Sequence, residues 1–199
     1  SNDGTVSGAI PLPARANTPV IGDALNQRSI ASFDGVNDYV DLGNDSSLTG
    51  TFTAITLYAW FNSNGFGSTG RIINMMKSDS VGTGRAVLAV NASGLDFYIA
   101  AGTDGAIAYA FDDVGSWHQM VGTYDGTTQR LYLDGVEVNS VAKTGNLDAH
   151  IDGNMYIGRF DATYGEYFDG SISNVAIYND ARTAPEILTD YENGYIDET

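Results

Sequence analysis

Apolar and polar residues alternate with a period of two along most of this chain, in short runs broken by Gly, Asp, Asn and Ser. The clearest run is Trp117 to Val138, WHQMVGTYDGTTQRLYLDGVEV, which predicts three strands joined by two tight turns. Tyr124-Asp125-Gly126 closes the first strand. Asp134-Gly135 separates Leu131-Tyr132-Leu133 from Val136-Glu137-Val138, and Asp-Gly supplies the positive φ angles that a two-residue hairpin turn requires. Met120, Leu131, Leu133, Val136 and Val138 are expected on one face, with polar residues on the other. A meander that buries one face needs a second layer packed against it.

The same pattern predicts strands elsewhere. Phe33 and then Tyr39, Val40 and Leu42 flank a polar turn, Asp34-Gly35-Val36-Asn37-Asp38. TFTAITLYAWF predicts a half-buried strand of about nine residues. RIINMM (71–76), RAVLAV (85–90), LDFYIAA (95–101) and AIAYAF (106–111) are spaced as a further meander, and strands are also expected at 155–160 and 168–179. One helix is predicted. Thr183-Ala184-Pro185-Glu186 forms a capping box, Ile187, Leu188 and Tyr191 share a face, and Asn193-Gly194 ends the element, which is expected on the rim of the fold. Gly65-Phe66-Gly67-Ser68-Thr69-Gly70 matches a dinucleotide-binding pattern, but a β-branched run follows it instead of a helix, so it reads as a loop. Residues 1–20 hold three of the four prolines and no periodicity, which predicts a linker or loosely docked arm before a domain at 21–199.

Composition narrows the class. With 199 residues, 43% of them hydrophobic, the chain is large enough for one all-β domain with a sizeable core. The absence of cysteine excludes disulfides and thiolate metal sites. A net charge of −16 repels nucleic acid and anionic membranes, and no apolar run is long enough for membrane insertion. Aspartates outnumber glutamates, 20 to 5, and many sit beside Gly or Asn in turns, as do Asp34, Asp104, Asp125, Asp134, Asp152 and Asp169. Such residues either turn the backbone or offer oxygens to calcium.

On SFDGVNDYVDL, FTAITLYAWF, WHQMVGTYDGTTQRLYLDGVEV, and MYIGRF followed by FDGSISNVAIYN, the chain from Ala31 to Tyr191 resembles the laminin-G-like, concanavalin A-like lectin/glucanase jelly-roll superfamily. The resemblance implies an all-β fold: a two-sheet antiparallel jelly-roll sandwich with one short C-terminal helix, the first strand pairing near the last. It also implies an extracellular binding role for glycans or proteins and, often, bound Ca2+. The family frequently carries an acidic pair where this chain has Ser173-Asn174, so the metal ligands are expected elsewhere: Asp34, Asn37 or Asp38, and Asp169, near the paired terminal strands, with Asp104 and Asp161 as further candidates. The alternative is that the two Phe-Asp-Gly triplets only turn the backbone.

No catalytic constellation is legible. The glucanase pattern Glu-x-Asp-x-x-Glu, the G-x-S-x-G elbow and zinc-type histidine spacings are absent. His118 is read as a packing and hydrogen-bonding residue, and the chain is expected not to be an enzyme. Binding chemistry is instead concentrated in loops: Asp161, Tyr164, Glu166 and Tyr167 in one, Asp148, His150, Asp152 and Asn154 in a second, and Asp104 in a third. Tyrosine faces, carboxylates and a calcium ion together suit a sugar. The expectation is a calcium-dependent carbohydrate-binding module of an extracellular or cell-surface adhesin, monomeric as a domain within a longer chain. The alternative is a protein-binding or spacer module. A polysaccharide-degrading enzyme or its accessory binding domain ranks below both.

Overall fold

The computed structural model describes residues 30–44, 52–76, 84–102, 105–147, 154–161 and 165–193. Residues 1–29, which include the predicted linker, lie outside this set. Among the described residues, β1 (Ala31–Asp34), β2 (Val40–Gly43), β3 (Ile55–Ser63), β4 (Gly70–Met76), β5 (Gly84–Asn91), β6 (Gly94–Ile99), β7 (Gly105–Tyr109), β8 (His118–Tyr124), β9 (Thr128–Leu133), β10 (Val136–Ala142), β11 (Met155–Ile157) and β12 (Asp169–Tyr178) precede α1 (Ala184–Glu192). The strands form two six-stranded antiparallel sheets, ordered β1-β12-β3-β8-β9-β10 and β2-β11-β4-β5-β6-β7. Both predicted meanders are present, as β4 to β7 and β8 to β10, and β1 pairs with the final strand β12.

Period-two alternation decides which side chains enter the core. Ile55, Leu57, Ala59 and Phe61 from β3 meet Ala86, Leu88, Val90, Leu95, Phe97 and Ile99 from the other sheet. Hydrophobic burial on this scale is the main stabilising term. Gly122 marks the closest interlock: a Cβ there would stand 2.4 Å from the Phe97 ring, so only glycine lets that ring seat against β8.

The opposite face of the first sheet is also covered. Tyr58, Trp60, Val121, Tyr132 and Ala176 form a second apolar cluster around Ile187 of α1, and the Trp60 and Tyr191 rings stack at 5.8 Å. The helix therefore lies on a sheet face and not on the rim, because its apolar stripe needs a surface of matching width. Its capping box forms as predicted: Glu186 Oε2 accepts the Thr183 N–H and hydroxyl, both at 2.8 Å.

Two further expectations are corrected. Val136 is 61% exposed, while Met120 and Leu131 are buried, because Val136 emerges directly from the Asp134-Gly135 turn and a register shift follows between Glu137 and Asn139. The strand expected over 155–160 ends at Ile157. Gly158 turns out of the sheet at φ +86°, and the space beside it is filled by the Phe33 ring, 2.3 Å from where a Cβ would lie.

Candidate functional site

The outer face of the second sheet carries no helix among the described residues. Its outward side chains fall into cross-strand rows, since residues paired in register across a sheet point the same way. One row runs over all six strands: Asp41, Tyr156, Asn74, Val87, Tyr98 and Ala106. A second places Arg71, Ala89, Asp96 and Ala108 side by side on β4 to β7. Val87 and Ala89 form a base along β5, with Asn74 and Arg71 on one side and Tyr98 and Asp96 on the other; Asn74, Val87 and Ala89 are buried, and Arg71, Asp96 and Tyr98 are half-buried. Burial raises the Asp96 pKa above the ordinary carboxylate value, while the Asn91 amide and the Arg71 charge oppose that rise.

One end of this face is aromatic. Leaving β11 at Gly158, the chain delivers Arg159 between two rings, its guanidinium carbon 3.4 Å from the Tyr39 centroid and 4.2 Å from that of Tyr156. The two tyrosines meet edge to face at 5.9 Å. Burial works against the Arg159 charge, but its hydrogen bonds to the Tyr156 and Tyr167 side chains outweigh it and raise its pKa. Rings fixed by a guanidinium in this way form a preorganised stacking surface.

The segment after β11 is pinned to the sheet at several points. Phe160 N–H donates to the Gly165 carbonyl at 2.9 Å, and Phe168 N–H to that of Gly158 at 2.8 Å. Asn74 Nδ2 donates to the Phe160 carbonyl at 2.9 Å. Glu166 has φ +51°, a left-handed conformation rare outside glycine and asparagine. That backbone brings its carbonyl to the Arg71 N–H at 3.2 Å and its carboxylate to the Arg71 guanidinium in an ion pair.

The expected calcium residues gather at a different place, the β1–β12 edge. Asp34 and Asp169 are register partners. Asp34 Oδ1 accepts the N–H groups of Val36 at 2.8 Å and Asn37 at 3.2 Å, which hold its carboxyl below the ordinary range. Asp38 Oδ2 accepts the Asp34 N–H at 3.1 Å, and Asp169 Oδ1 accepts from Asn64 Nδ2 at 2.7 Å. Asn37 is exposed. No three acidic or imidazole groups among the described residues are arranged to hold a metal ion. The register pair alone does not make a calcium donor set, and the balance of roughly six to eight oxygens would have to come from carbonyls and water.

Of the residues expected to bind ligand, Glu166 and Tyr167 reach the sheet face through Arg71 and Arg159. Asn154 reaches it through Asp41, to whose Oδ2 it donates at 2.8 Å. Asp161 lies in the pinned segment, 4% exposed. Asp104, Asp148, His150, Asp152 and Tyr164 lie outside the described residues. His118 is held between carboxylates, with Nδ1 2.8 Å from Asp134 and Nε2 3.1 Å from Asp113. Missed by sequence reasoning were Tyr39, Arg71, Asn74, Asp96, Tyr98, Tyr156 and Arg159. The polar phase of β6 and β11 contained part of the signal, since Asp96, Tyr98 and Tyr156 face outward once the apolar phase is assigned to the core, whereas Arg71 and Asn74, three residues apart on β4, share that face only because a register shift falls between Arg71 and Ile73.

A family model for the concanavalin A-like lectin/glucanases superfamily, of laminin G type, matches residues 34–188. Comparison with curated proteins gives no match. Among solved structures, the binding domain of botulinum neurotoxin serotype G superposes with a TM-score of 0.64 at 11% identity, over 82% of this chain and 42% of that one. A Bacteroides ovatus protein whose proposed role is carbohydrate binding gives 0.60 at 20% identity, over 79% and 45%. A native heptameric SAP-like pentraxin from Limulus polyphemus gives 0.60 at 17%, over 83% and 82%. The chain spans less than half the length of the first two, and at these identities the likeness is one of fold.

Proposed function

The chain belongs to the concanavalin A-like lectin/glucanase superfamily, and from that premise we propose that it binds carbohydrate on the outer face of its second sheet, without altering it. The observation that carries this reading is the row in which Tyr156 and Tyr98 bracket Asn74 and Val87. Sugar rings present apolar C–H patches that stack on aromatic faces and hydroxyls that need adjacent donors and acceptors; the half-buried Tyr156 and Tyr98 offer the first, and Asp41 in the same row with Arg71 and Asp96 in the next offer the second, over a buried base of Asn74 and Val87. The proposed carbohydrate-binding role of the Bacteroides ovatus protein, which shares this fold, supports it.

The wider role follows from the same reading. The chain acts as an adhesion module outside the cell or on its surface, monomeric as a domain within a longer protein. Calcium belongs to the proposal as a stabilising ion at the Asp34–Asp169 edge, with affinity on the order of that of extracellular calcium modules, about millimolar. The sugar itself contacts the sheet face and not the ion.

A glycan array probed with the purified chain tests the reading. Binding to at least one oligosaccharide class is expected, and it should be weakened in Tyr98→Ala and Tyr156→Ala variants that melt as the parent does. Silence across all classes, or binding indifferent to both substitutions, overturns it.

A further inference from the structure

We propose that the face selects uncharged oligosaccharides and discriminates against those bearing uronate or sulfate groups. The proposal rests on the carbohydrate-binding reading above and names the ligand class of that same surface. Arg71 and Arg159 are the cations that the described residues place there, and both are already engaged. Arg71 is ion-paired with Glu166 and lies within electrostatic range of Asp96. Arg159 is enclosed by Tyr39 and Tyr156 and bonded to Tyr156 and Tyr167. Asp41, Asp96 and Glu166 outnumber them around the base, in a chain whose net charge is −16.

An ionised sugar brings an acceptor-only group. To be recognised it must displace Glu166 from Arg71, lose its own hydration and approach three carboxylates, each of which raises the cost. A hydroxyl both donates and accepts. The Arg71–Glu166 pair presents a guanidinium donor directly beside a carboxylate acceptor, which is the complement of two neighbouring hydroxyls on one ring. The left-handed backbone of Glu166 points the same way. A strained residue that persists because its side chain completes an ion pair marks a position where geometry is held for a purpose.

The test compares matched neutral and uronate-bearing oligosaccharides of equal length, with sulfated ones as a third arm, by calorimetric titration against the parent chain and the E166Q and D96N variants. Circular dichroism and melting confirm that each variant is folded. The parent is expected to bind the neutral set at least about tenfold more tightly than any charged counterpart, a gap of about 1.4 kcal/mol. In E166Q, where Arg71 loses its carboxylate, that ratio should fall by about threefold or more. D96N carries the same expectation and decides the matter if E166Q does not fold. A charged oligosaccharide preferred by the parent, or a ratio unchanged in a folded variant, overturns the selectivity and leaves the carbohydrate reading standing. Failure of every oligosaccharide to bind overturns both.

Discussion

Tyr98 on β6 and Tyr156 on β11 occupy one cross-strand row of the second sheet, with Asn74 and Val87 on the two strands between them. Three strand steps of about 4.8 Å separate the two positions by roughly 14 Å, which gives stacking points for different rings of one oligosaccharide and not for a single sugar. Tyr98→Ala and Tyr156→Ala should each weaken binding about tenfold. The two effects should add within about 0.5 kcal/mol, since the sites are farther apart than the usual range of coupling. Calorimetric titration of the single and double variants checks this.

Arg159 acts by holding rings in place. Arg159→Lys keeps the charge but loses the planar group that lies between Tyr39 and Tyr156, so it is expected to cost about 1–2 kcal/mol of stability. Urea unfolding of the variant measures the loss, and a midpoint equal to the parent's would show that the stacking contributes nothing.

Much of the fold was legible because its signals are local. Asp134 and Gly135 have φ values of +50° and +79°, as a two-residue hairpin turn demands, and the Thr183–Glu186 box formed where it was read. The face was hidden for the opposite reason. Tyr156, Asn74 and Tyr98 are ordinary strand residues until pairing register brings them into one row, and register between distant strands is written in no short stretch of sequence. The loops drew attention because their oxygens are adjacent in the chain. Of those residues, Glu166 joins the site only through Arg71, and Tyr167 only through Arg159. The location of α1 followed from Trp60 and Tyr58, outward residues of β3 whose need for cover does not show in the alternation itself.

Removing Ile187, the buried anchor of α1 at 1% exposure, by Ile187→Ala should destabilise the chain by about 2–4 kcal/mol. It should also shift tryptophan emission to the red as Trp60 loses the Tyr191 ring stacked on it. Glycan affinity measured well below the new melting temperature should remain, because α1 and the proposed face lie on different sheets.

Acid should act through Asp125. Burial raises its pKa, but the Thr127 hydroxyl, the Arg130 guanidinium and the Thr127 and Thr128 N–H groups outweigh it, so the folded value falls far below the ordinary 3.8. A depressed carboxylate contributes stability that is fully present above its unfolded pKa and is lost as pH falls through the folded one. Asp125→Asn should therefore cost about 1–2 kcal/mol at neutral pH and flatten the decline of the urea midpoint below about pH 4. An equally steep decline in the variant would assign acid sensitivity to other carboxylates.

Calcium is read by melting. Millimolar calcium should raise the melting temperature relative to excess chelator, and Asp169→Asn should erase the difference, since Asp169 is the register partner of Asp34. An unchanged midpoint in the parent removes the ion from the β1–β12 edge.

The central claim is best tested by where a sugar touches the protein. Amide chemical shifts recorded during titration with an oligosaccharide identified on the array should move on β4, β5, β6 and β11 and at Glu166 and Tyr167, leaving α1 and the first sheet still. Shifts confined to the Asp34–Asp38 turn, or to the helix-covered sheet, would contradict it.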